Sequence, residues 1–234
     1  MAEEHILKLR ASDYIEEALC ATSCLPDNFN TLPIIEYICS AIFLKITGLL
    51  EQKFKAISWI MADNDREYRR NLLSSKQGEC SQYKDKQQIY KNLVETIEHI
   101  NKTAFIRNPA ILAEKSKSLI ENLFENTIFR SNLYIEFKTF QAVISDITFT
   151  QQTKNCELLP ETNIKNVFDK IIEQRNRCAH NLYVNSFVQH DIKSLYSQQG
   201  LNSDNVFIQF FVLIYLDEIF NYTYLEYKKA LANL

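Results

Sequence analysis

Glycine is nearly missing from this chain, with three in 234 residues, and proline occurs only four times. Tight hairpins and Greek-key corners need residues that tolerate unusual φ, so this shortage excludes most all-β designs and predicts an all-α fold. Zinc-type spacing is also missing. The six cysteines (20, 24, 39, 80, 156, 178) form no CxxC and no Cys/His ladder, so they read as small buried hydrophobes in a reducing compartment. No Walker loop, GxSxG, HExxH or dinucleotide fingerprint occurs, and no metal or cofactor is expected. Charge of one sign is lacking too. A net charge of −3 excludes a generally basic, nucleic-acid-coating surface, so any contact with nucleic acid must be local. The opening "MAEEHILKLRASDYIEEAL" mixes acids throughout and does not read as a leader. The most apolar run, Val206 to Leu216, has eleven residues and includes a glutamine, too short to cross a bilayer. A cytoplasmic protein without membrane association is expected.

What is there is helical periodicity. A first helix over 3–24 stops before Pro26, and "LPDNFNTLP" is a loop. Ile38, Ile42, Ile46, Leu49, Leu50, Phe54, Ile57 and Met61 predict one long helix, or two in line, from Ile34 to Leu73, with Gly48 as a weak point. The polar stretch 74–88 reads as an exposed connection. Helices follow at 84–104, 110–124 and 127–147; another runs from Ile164 to Leu182 with Thr162 or Asn163 as cap, and the last covers 204–231. The last is apolar on nearly every face in its first half, so it belongs in the core. The expected organisation is an N-terminal helical extension, 1–33, on a helical domain, 34–234, with no internal repeat.

Pattern and residue type conflict in "IIEQRNRCAHNLY", residues 171–183. On a helix, Phe168, Ile171, Ile172, Cys178, Ala179 and Leu182 all project within about 60° of Arg175. A guanidinium in such a stripe costs several kcal/mol if left unpaired. Either a carboxylate from a neighbouring helix, Glu51 being one candidate, satisfies it, or the stripe lines a cleft in which a phosphate is the partner. Arginine suits a phosphate because its planar fork donates two parallel hydrogen bonds. Glu173, Asn176, His180 and Tyr183 form a polar flank beside the stripe. Among them only His180 has an ordinary pKa that allows proton exchange near neutrality.

"RNRCAHN", Arg175 to Asn181, resembles the Arg-polar-x3-His signature of the HEPN superfamily, with Asn176 directly after the arginine and Ala179 directly before the histidine. The resemblance implies an up-down bundle of four or five helices, here with an additional N-terminal helix and extended central helices. It implies a homodimer in which two motif helices meet and form one composite cleft. Its larger stand-alone bacterial members are toxins or antiviral defence effectors, commonly metal-independent endoribonucleases. On that resemblance His180 acts on the ribose 2′-hydroxyl or the leaving oxygen, Arg175 stabilises charge on the phosphorane, and Asn176 orients either group. Products then carry 2′,3′-cyclic phosphates. Implied partners are an RNA substrate and an antitoxin or defence-complex protein. The alternative is a HEPN-like module without turnover that dimerises and binds RNA or a protein.

Weaker candidates for RNA contact are Tyr183, which could stack a base, and Arg177 beside the motif. Arg66, Arg69 and Arg70 in "DREYRR" could track a backbone, although Asp63, Asp65 and Glu67 around them favour a solvated face.

Overall fold

The computed structural model describes residues 2–26, 31–74, 80, 82–147, 149, 157–159, 161–180 and 205–233, without the side chains of 32, 74, 162 and 177–180. Among the described residues the fold is all-α, with no strand. The helices are α1 (Ala2–Lys8), α2 (Ala11–Thr22), α3 (Leu32–Asn64), α4 (Arg66–Ser74), α5 (Tyr83–Asn101), α6 (Pro109–Phe124), α7 (Ile128–Asn132), α8 (Tyr134–Asp146), α9 (Thr162–His180) and α10 (Val206–Ala232).

Several boundaries differ from the periodicity, each for a local reason. The expected first helix is two, because Arg10 is extended and the Asp217 carboxylate accepts the Ala11 amide at 3.0 Å, which starts a fresh helix there. α3 runs unbroken through Gly48. It ends at Asp65, whose amide closes α3 on the Met61 carbonyl while its carboxylate accepts the Glu67 and Tyr68 amides, so one residue caps two helices. α5 stops at Asn101 because Lys102 takes a left-handed φ of 54°. The expected 127–147 helix splits at Leu133, between α7 and α8. α9 begins at Thr162, two residues before the expected Ile164.

α10 is the hub. It packs against α2, α3, α5, α6, α8 and α9, and its first fifteen residues are buried on every side. Asn205 sets its start, accepting the Phe207 and Ile208 amides while donating to the Glu136 carbonyl at 2.7 Å. Around that end Phe124, Phe137 and Phe140 gather on Phe207, with ring centroids 5.0 to 6.4 Å apart. Buried phenylalanines each contribute roughly 1.5–3 kcal/mol, so this cluster anchors α6 and α8 to the hub. The N-terminal helices share the core: α1 and α2 lie on α3, and α2 also touches α6 and α10.

Two helices, α3 and α10, are long and apolar enough by length and composition to cross a membrane, which an eleven-residue run alone did not suggest. In α10, 94% of the apolar window is buried inside the protein, the behaviour of a core helix; in α3 the figure is 44%.

Candidate functional site

α9 lies across α3 and α10 with Ile164, Val167, Phe168 and Ile171 buried. That is the predicted stripe, and Arg175 continues it one turn later. There the stripe leaves the core, since the Arg175 side chain is 26% exposed. Its Nη2 donates to Glu51 Oε2 on α3 at 2.8 Å, so the neighbouring carboxylate does satisfy the guanidinium. Its Nη1 donates to Asn176 Oδ1 at 3.2 Å, so Asn176 orients the arginine.

More cations converge on the same carboxylate. Lys55, one turn along α3, reaches Glu51 Oε1 at 2.8 Å. Lys86, on the buried face of α5, donates to the Cys80 carbonyl, lies 5.6 Å above the Phe168 ring and feels both the Glu51 charge and that of Arg175. Only 2% of Lys86 is exposed, and burial is the main reason its ammonium pKa falls to about 8; Glu51 and Asp85 pull the other way. Basic groups from three helices therefore act on Glu51, Arg175 and Lys55 in contact and Lys86 through space. Beneath them Gln209 of α10 donates to Gln174 of α9 at 2.9 Å, tying the motif helix to the hub.

Comparison with known protein families, with curated proteins and with solved structures finds no match.

His180 lies on α9, five positions beyond Arg175, with its side chain, like that of Arg177, outside the described residues; Tyr183 lies outside them altogether. Arg66, Arg69 and Arg70 are exposed on α4. Arg69 is turned back onto the end of α3, donating to the Ala62 carbonyl at 2.7 Å and to Asp63 Oδ1 at 3.1 Å. The groove between α4 and α5, about 450 Å³, is lined by Asp65, Glu67 and Glu95 with His99, which repels a phosphate backbone. The structure thus unites Arg175 with Asn176 and leaves the α4 arginines apart from them.

A second polar centre holds the approach to α9. Arg107, fully buried, donates to the Tyr90 hydroxyl at 3.0 Å and to the carbonyls of Leu158 and Glu157 at 3.3 and 3.1 Å, fixing the strand of chain that leads into the motif helix. Burial raises the Glu161 carboxyl and the Tyr215 hydroxyl above their ordinary pKa values. Lys86, Lys55 and Arg107 were not singled out from sequence. Lys86 carried a usable signal: it precedes Ile89, Tyr90, Leu93, Val94 and Ile97 on the buried stripe of α5, the same conflict that exposed Arg175. Arg107 sits between helices, where no period exists.

Proposed function

We propose that this protein is a metal-independent endoribonuclease of HEPN type, working in the cytoplasm as a homodimer whose paired motif helices form one RNA cleft. The observation that supports it is the convergence of Arg175, steadied by Asn176, with Lys55 and Lys86 beside the helix that carries His180. A 2′-hydroxyl attack on the neighbouring phosphate needs one proton shuttle and a cation for the developing charge, with no external nucleophile. His180 supplies the first and Arg175 the second, and release of a 2′,3′-cyclic phosphate follows. Such an activity in a cell requires restraint, by an antitoxin or by a defence complex.

The test is incubation of purified protein with total RNA in a chelator. Wild type cleaves and leaves cyclic phosphates, and Arg175→Ala and His180→Ala each lose activity as folded dimers. Cleavage that needs a divalent metal, or survives both substitutions, defeats the proposal.

The 2.8 Å Arg175–Glu51 pair favours a second reading, a helical binding module without turnover in which Arg175 is a structural ion-pair residue. In that case Arg175→Ala changes stability alone, His180→Ala changes nothing, and RNA or a protein partner is bound intact.

A further inference from the structure

Glu51 is 14% exposed and touches two of three cations gathered about it, Arg175 at 2.8 Å and Lys55 at 2.8 Å, with Lys86 in electrostatic range. A carboxylate presents two oxygens to a guanidinium much as a phosphate does, and both are held best by an arginine fork with further ammonium groups beside it. Here each Glu51 oxygen faces its own cation. Arg175 engages the carboxylate through Nη2 alone, while its Nη1 leans on the neutral Asn176 amide. The contact is therefore single-pronged, weaker than the two-pronged grip an incoming phosphate would receive.

We propose that Glu51 is an internal anion standing in the phosphate position of Arg175, and that a phosphodiester of a polynucleotide binds by displacing it. This rests on the ribonuclease reading for the identity of the ligand. The exchange leaves no buried charge stranded. When Arg175 turns to the phosphate, Glu51 keeps Lys55 one turn along its own helix, and Lys86 adds its charge from α5. Lys55 is the residue that lets Glu51 let go. The basic cluster is thus closed to stray anions and opens only to one that outcompetes a tethered carboxylate. Since the carboxylate is covalently attached, weak monovalent anions lose to it at ordinary concentrations.

Two probes and three variants test this: inorganic phosphate, against sodium chloride at equal ionic strength, and a 2′-O-methyl oligouridine, which offers phosphodiesters but no nucleophile. Glu51→Gln keeps the shape and removes the competitor, so both probes bind about tenfold tighter, the equivalent of removing roughly 1.4 kcal/mol of competition. Adding Arg175→Gln to Glu51→Gln abolishes the gain. Lys55→Met acts in the opposite direction, weakening both probes, because Glu51 then has nowhere else to go. Binding is read by calorimetry, and circular dichroism verifies the folded state. If Glu51→Gln unfolds, the Lys55→Met arm decides by its anion dependence: a loss for phosphate beyond that for chloride at equal ionic strength keeps the proposal, and an equal loss for both overturns it.

Equal probe binding in wild type, Glu51→Gln and Lys55→Met overturns the proposal, as does a gain for chloride equal to that for phosphate, which marks simple charge balance. Tightening toward inorganic phosphate without tightening toward the oligonucleotide overturns the polynucleotide assignment. The two readings fail separately. Tighter probe binding without RNA cleavage by wild type sinks the ribonuclease and keeps the internal anion; Arg175-dependent cleavage with unchanged probe binding does the reverse.

Discussion

Raising the pH from 7 to 9 should stabilise this protein through Lys86. The residue is 2% exposed, and burial lowers its ammonium pKa from 10.5 to about 8. Below pH 8 the side chain is protonated both folded and unfolded, and the folded state bears the whole cost of a buried charge. Between pH 8 and 10.5 the unfolded chain still holds the proton that the folded chain has released. More protons are bound unfolded, so stability rises with pH. The full shift of about 2.5 units corresponds to about 3 kcal/mol, and a little over 1 kcal/mol of it falls between pH 7 and 9. Above pH 9 other groups oppose the trend. The buried Cys39 thiol is pushed up from 9.0 to about 12, chiefly by desolvation, so only the unfolded thiol ionises there and stability falls. The clean comparison is wild type against Lys86→Met, which keeps the length of the chain over Phe168 and cannot titrate. Urea unfolding at pH 7, 8 and 9 should show the wild type gaining about 1 kcal/mol relative to the variant. Parallel pH dependences would refute the buried, charged Lys86.

Lys53 is wholly buried and pairs with Asp217 and the Asn221 side chain, and burial lowers its pKa; Asp217 also starts α2. Lys53→Met alone leaves an uncompensated carboxylate and should cost about 3–5 kcal/mol in chemical denaturation, whereas Lys53→Met with Asp217→Leu should cost less than the sum of the single changes. If the costs simply add, the two groups do not interact. At the end of α5, exposed Lys102 is left-handed, a conformation glycine adopts freely. Lys102→Gly should therefore raise stability by about 0.5–1 kcal/mol, readable as a higher melting temperature, and a lower one would show that the lysine side chain matters there.

Much of the architecture was legible because burial follows helical period. The hub was read from Val206–Leu216, where apolar residues cover every face, and α9 from its stripe. Boundaries were harder wherever a distant side chain decides them. Nothing near Arg10 announces that Asp217, over two hundred residues away, will accept the Ala11 amide. Gly48 read as a weak point of one long helix, or two in line, because glycine weakens isolated helices, yet thirty-three residues of packing outweigh one residue's propensity, and the division falls where Asp65 can cap both ends. In the site, the conflict between an apolar stripe and a charge revealed Arg175 and suggested Glu51. The same test applied to the stripes holding Lys53 and Lys86 would have revealed both. Lys55 was not legible, because an i,i+4 pair with Glu51 on a long helix looks like any surface ion pair until α9 is laid across it.

The hub is also the latest of the described helices to be made. α1 to α9 emerge from the ribosome before α10, yet the aromatic cluster on Phe207, the Asp217 anchor of α2 and the Gln209 tie to α9 all await it. At about 5–20 residues per second, the earlier helices spend many seconds with their apolar faces uncovered. Until α10 has been made, the faces of α2, α5, α6, α8 and α9 that pack on it lack their cover, so closure of the core waits on the last of the described helices.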